Sequence, residues 1–247
     1  MIVDYRDLAV FTRDGEGGNP LALIPFESVP SSRWQEVTEV IGYSETVFVE
    51  AGDPAVVHIY TPGGRIPFAG HPLVGTAYTL EGDVNQIRFD SGVAAIIRGD
   101  DRMISVAVPA RGEVREVPPP AYGIRAWIVD MPLPYLVVEA PGPEAVAALD
   151  PGEMAEAGGK SYVWAWIDEP SLVRARFFAA DVGVPEDPAT GSAAVAFARA
   201  IDSPVGEVMI HQGDETGRPS TIRLSWDATT ITIGGSVSDL GHSSVEV

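Results

Sequence analysis

The stretch PFAGHPLVGTAYTL, residues 67–80, reads as a helix with an unusual mouth. Gly70 and His71 stand at its start, Pro72 follows in the first turn, and small residues fill much of its body. A helix start leaves several N–H groups without intrahelical partners and carries the positive end of the macrodipole. Glycine at that point lets another group approach the backbone closely, and a ligand is the expected one. A second stretch of the same kind lies downstream in ATGSAAVAFAR, residues 189–199, where Gly191 and Ser192 take the places of Gly70 and His71.

The two stretches are the centre of a longer correspondence. An offset of 191 − 70 = 121 also brings Ala77 onto Ala198. Before the first stretch, TVFVEAGDPAVVHIYTP reads as strand, turn, strand, then a loop; before the second, YVWAWIDEPSLVRARFF reads the same way. Because Gly and Ala are abundant in this chain, the matching order of elements weighs more than the identities. Two pseudo-equivalent lobes follow. If they face each other across a pseudo-twofold axis, both helix starts converge on one cleft suited to a small carboxylate.

Around this repeat the chain is rich in strands. IVDYRDLAVFT, MISVAVPA, IRAWIVD and TTITIGG carry β-branched and aromatic residues bounded by Gly, Pro and Asp. An early helix is expected in SSRWQEVTEVIG, with Ser32 and Gln35 at capping-box spacing, Trp34, Val37 and Ile41 on one face and Gly42 as its stop. Three prolines, Pro118 to Pro120, can neither continue a helix nor sit in a central strand. They divide the chain into an N-terminal lobe, 1–117, and a C-terminal lobe, 118–247, with terminal strands free to exchange between them.

Composition removes several classes of function. Lys and Arg total 16 against 35 Asp and Glu, a net charge of −19, which argues against nucleic acid and anionic membrane surfaces as partners. No apolar run approaches the roughly 18 residues of a membrane span, and MIVDYRDLAV lacks the basic and apolar regions of a secretory signal. A cytoplasmic location is the expectation. With no cysteine, disulfides, thiolate metal sites and cysteine nucleophiles are excluded. The four histidines show no close ligand spacing, so no metal is expected.

Five segments in order, FTRDGEGGNPLALI, GYSETVFVE, PFAGHPLVGTA, VPEDPATGSAA and HQGDETGRPS, resemble the PhzF family of phenazine-biosynthesis proteins, which is similar in fold to diaminopimelate epimerase. The likeness runs from Phe11 to about Gly235. It implies an α+β fold of two lobes, each a mostly antiparallel sheet wrapped around a central helix, with the active site in the cleft between them. It further implies a homodimer, no cofactor and no metal. Carried over by position, Glu45 matches the proton-shuttling carboxylate, and His71 and Asp187 match groups that assist the proton movements. Ser44, Gly70, Gly191, Ser192 and Gly213 match substrate-binding positions. Arg218 lies near these motifs, and so does His211, neither with an assigned role.

Physical chemistry agrees with these assignments while leaving other readings open. A carboxylate beside the apolar run TVFV is desolvated and more basic, as a base working near neutrality requires. Without the motif, an exposed strand-start residue is the better reading of Glu45. His71 can supply a hydrogen bond or a proton near neutrality, or simply satisfy the helix start. Asp187 precedes Pro188 and can form a turn, and Ser192 is a good capping residue. The implied activity is a cofactor-independent isomerase that moves a proton by acid-base catalysis on a small cyclic carboxylate. A cysteine-free epimerase or racemase of an amino-acid-like substrate and a non-catalytic carboxylate-binding protein are the alternatives. A hydrolase is weaker, since GSA lacks the Gly-x-Ser-x-Gly elbow.

Overall fold

A computed structural model describes residues 1–80, 82–99, 103–201 and 203–247. The first half runs β1 (Ile2–Thr12), β2 (Asn19–Pro25), α1 (Trp34–Ile41), β3 (Glu45–Glu50), β4 (Ala55–Thr61), β5 (Gly64–Ile66) and α2 (Gly70–Thr79). It continues through β6 (Gln86–Phe89), β7 (Gly92–Arg98), β8 (Ile104–Pro109) and β9 (Glu113–Val117). The second half runs β10 (Arg125–Asp130), β11 (Pro134–Glu139), α3 (Pro143–Ala147), α4 (Pro151–Ala157), β12 (Ser161–Asp168), β13 (Leu172–Ala179) and β14 (Val184–Asp187). It closes with α5 (Gly191–Ala200), β15 (Gly206–Gln212), β16 (Ser220–Trp226) and β17 (Thr230–Glu246).

Strand pairing repeats between the halves. β2 lies parallel to β3, β3 and β4 form an antiparallel pair, and β4 lies parallel to β6 across the crossover that contains α2. Likewise β11 lies parallel to β12, β12 and β13 pair antiparallel, and β13 lies parallel to β15 across α5. The two hydrophobic crossovers thus sit at equivalent places in one pairing scheme.

The sequence reading expected a separate, mostly antiparallel sheet for each lobe; the described residues form one continuous mixed sheet of seventeen strands with few helices. The terminal strands explain the difference. β17 pairs with β8 through Thr230 to Gly235 and then with β1 from Ser236 to Glu246, while β9 pairs with β10. Both halves are thereby stitched by backbone hydrogen bonds.

α2 is buried from Gly70 through Ala77, and α5 is buried on every residue but Arg199. A helix that is apolar or small all round belongs in a core. α2 packs on β1, β2, β8 and β17, α5 on β10, β11, β16 and β17, and the two helices meet each other within one core cluster. At about 25 cal/mol per Å² of apolar surface, this burial is the dominant source of stability.

The early helix forms, but without the expected capping box. A 3₁₀ turn at Ser31–Arg33 precedes α1, whose start makes no side-chain cap hydrogen bond. Gln35 Nε2 instead donates to the Thr61 and Pro62 carbonyls, a tertiary use that outcompetes the local one. Gly42 ends the helix in the left-handed conformation, as expected.

Candidate active site

Gly70 and Gly191 touch where α2 and α5 begin. A methyl group on Gly70 would stand 2.6 Å from the Gly191 Cα, and one on Gly191 would stand 2.8 Å from the Gly70 Cα. The close approach that glycine permits here is made first by the other helix start. The consequence is that two positive helix ends converge at one point.

Around this junction the chain places three other element ends and the residue that leads into α5. Asn19 opens β2, Glu45 opens β3, Asp187 closes β14, and Thr190 immediately precedes α5. Asn19 Nδ2 donates to Asp187 Oδ1 at 2.8 Å and to the Ala189 carbonyl at 2.9 Å. Its Oδ1 accepts from the Ser44 hydroxyl at 2.9 Å. The Thr190 hydroxyl donates to Asp187 Oδ2 at 2.5 Å. Gln212 Nε2 donates to the Asp187 carbonyl at 2.8 Å and to Thr190 Oγ1 at 3.1 Å. Both oxygens of Asp187 are thus occupied within the protein.

Glu45 is different. Its Oε2 is buried with no hydrogen-bond partner and lies 3.5 Å from His71 Nε2, which is buried and unpartnered too. Burial pushes the Glu45 carboxyl well above the usual carboxylate range, and the neighbouring Asp187 pushes it further, while Ser44 opposes. Asp187 is raised mainly by burial, partly offset by Thr190, Asn19 and Ser44. Burial lowers His71 to about 3, against a hydrogen bond with the Pro20 backbone. Nδ1 of the ring lies 3.4 Å from the Asn19 amide nitrogen, and Nε2 faces Glu45. Lowered in this way, the ring stays neutral near pH 7 and can take part in hydrogen bonding.

The cleft above these groups is lined by Ser44, Glu45, Tyr135, Asp187, Thr190 and Ser192, with Phe68, Leu133 and Phe177 among its apolar walls. Ser192 does not cap α5, contrary to expectation; its Oγ accepts from the buried Tyr135 hydroxyl at 2.9 Å. Burial raises Tyr135 to about 12, so it remains a neutral donor, and Ser192 keeps its own proton to offer into the cleft.

Gly213 stands apart from the cleft lining. It holds φ at 85°, and an added methyl would lie 2.6 Å from the Pro188 carbonyl, so it shapes the turn beneath Asp187. The Arg218 N–H bonds the Gly213 carbonyl at 2.9 Å, and its side chain is exposed. His211 lies in a separate groove with Arg13 and Thr221. Side chains alternate along a strand, and it is the next residue, Gln212, that reaches the site. Asn19, Tyr135, Thr190 and Gln212 were not singled out from the sequence. Among the described residues no cluster of three His, Asp or Glu stands where it could hold a metal ion, and no helix is long and apolar enough to cross a membrane.

The chain as a whole is similar to known proteins. Residues 8–94 and 133–238 match the family model described as phenazine biosynthesis-like protein, PhzC-PhzF. The chain is 29% identical to an uncharacterized isomerase of Mesorhizobium japonicum, covering 90% of this chain and 89% of that one. It is 29% identical to the trans-2,3-dihydro-3-hydroxyanthranilate isomerase of Pseudomonas fluorescens, covering 82% of this chain and 83% of that one. In fold it resembles the PhzF-family protein of Bacillus anthracis, with a TM-score of 0.81 at 17% identity over the whole of both chains. With the family model spanning most of its length and both halves of its cleft, this chain belongs to the phenazine biosynthesis-like protein family and is an isomerase of the PhzF type.

Proposed function

We propose that the chain is a cofactor-independent isomerase in which Glu45 moves a proton on a small cyclic carboxylate. The observation that carries this reading is the buried, unpartnered Glu45 Oε2 beside the unpartnered His71 Nε2, at the point where two helix ends meet. An orphaned buried carboxyl is costly unless a ligand completes it. Ionised, Glu45 takes a proton from a ring carbon next to an unsaturated system. The C–H electrons enter the conjugated system, and the proton returns to another carbon on the same face. Its raised pKa makes the carboxylate a stronger base than an exposed glutamate.

The helix ends at Gly70 and Gly191 hold the substrate carboxylate, Ser44 and Ser192 orient it, and neutral His71 takes part in hydrogen bonding. Asp187, with both oxygens engaged by Asn19 and Thr190, holds the junction together and raises the basicity of Glu45. That engagement favours a single-base isomerase over an epimerase, which needs a second free base. The substrate named for the relative from Pseudomonas fluorescens is a hydroxylated cyclic amino carboxylate, a compound of this class.

This reading also keeps the division into lobes 1–117 and 118–247, each with its buried helix at the centre. The repeated pairing scheme around α2 and α5 supports it. A homodimer and a cytoplasmic location come with it from the family resemblance, to be checked by sedimentation and fractionation. The decisive experiment follows trans-2,3-dihydro-3-hydroxyanthranilate with the protein in D₂O by NMR. Isomerisation with deuterium at the new C–H position is expected; an unchanged spectrum at high protein concentration overturns the proposal for this substrate.

A further inference from the structure

Of the 16 basic residues in the chain, fifteen are arginine and one, Lys160, is lysine. That single lysine lines the cleft of the candidate active site. It immediately precedes β12, and its side chain is only 13% exposed. Among the described residues its charged partner is Asp181, whose carboxylate stands 3.6 Å away and is 43% exposed. An ion pair of that length and exposure contributes little. Among the described residues the Lys160 ammonium meets this carboxylate only at ion-pair distance, beyond hydrogen-bond reach, so its N–H donors are available to a ligand.

Every other charged group that lines this cleft is acidic: Glu45 and Asp187. A mostly buried ammonium in a chain of net charge −19, with a loose partner and free donors, is a site for an anion. Lysine suits the place because it is a compact point charge, where arginine would impose a planar fork.

We propose that Lys160 binds a second anionic oxygen group of the substrate, in addition to the carboxylate held at the Gly70 and Gly191 helix ends. The substrate class is then a small ring with two acidic or strongly electron-rich oxygen substituents. This inference rests on the carboxylate-binding cleft proposed above.

The test uses benzoate and the three benzenedicarboxylates, which place a second carboxylate at three spacings, with binding read by calorimetry on the full chain. Wild type is expected to bind at least one dicarboxylate about tenfold more tightly than benzoate, the value of one charge-assisted hydrogen bond. Lys160→Gln should remove that preference while leaving benzoate affinity unchanged, and Lys160→Arg should restore part of it. Since the chain has one lysine, amine acylation read by mass spectrometry adds a second measurement. The preferred dicarboxylate should shield Lys160 and leave the terminal amine, as internal reference, unaffected.

A preference that survives in Lys160→Gln overturns the proposal. Benzoate binding with no preference among the dicarboxylates overturns it too, and leaves the single-carboxylate cleft standing. Failure of wild type to bind any of the four acids overturns both readings.

Discussion

Gly70 and Gly191 lie against each other at the starts of α2 and α5, near enough that a single added methyl group would stand 2.6 Å from the opposite Cα. The two halves of the chain therefore meet through backbone, and the spacing of the helix ends is set by the absence of two side chains. Gly70→Ala should force the ends apart, costing about 1–3 kcal/mol as overpacking does. Urea denaturation reads the loss, and substrate affinity should fall with it. An alanine variant with wild-type stability and affinity would show that the contact yields easily.

Glu45→Gln keeps the shape of the side chain and removes its ionisable proton. Turnover should fall by about two to four orders of magnitude while ligand binding changes modestly. Exchange of substrate protons with solvent should vanish. Wild-type turnover in this variant would return Glu45 to a structural role.

The raised pKa of Glu45 has a definite sign in stability. The unfolded chain releases this proton near 4.5, whereas the folded chain holds it up to about 8. Below the first value both states are protonated and burial carries no ionisation cost. Between the two only the unfolded chain ionises, so stability falls as pH rises and levels off above the second. Thermal melts should show Glu45→Gln gaining on wild type across this interval, with a constant difference at higher pH. In catalysis the same group should give kcat/KM a limb that rises toward mildly alkaline pH. His71, neutral down to about 3, should contribute no limb near neutrality.

Asn19→Ala strips Asp187 and Ser44 of a buried partner at once. A loss of about 1–3 kcal/mol is expected, with reduced activity at saturating substrate. Denaturation and steady-state kinetics on the same preparation separate the two effects.

Isomerase activity should persist through dialysis against a chelator. Loss restored by one particular metal would require donors beyond the described residues, among which no suitable cluster exists.

Much of this arrangement was legible in the sequence because it is local. Helix starts announce themselves by Gly70-His71 and Gly191-Ser192, and strand segments such as Ala55–Thr61 by alternation. Asn19 was not legible: its bond to Asp187 spans 168 residues, and an asparagine after two glycines reads as a turn. Gln35 shows the converse, since its capping-box spacing is a local signal that a pair of distant carbonyls overrode. Gln212 was hidden by its neighbour, because His211 carries the more suggestive side chain while strand alternation turns it away.

β17 also sets an order of assembly. β1 and β8 belong to the first half, yet each has β17 as the neighbour along one edge. On a ribosome adding about 5–20 residues per second, both edges are made long before residues 230–246 emerge. Open strand edges are templates for pairing with other chains. Those two edges of the first half stay open until the last strand arrives, which makes completion of the sheet a late event of synthesis.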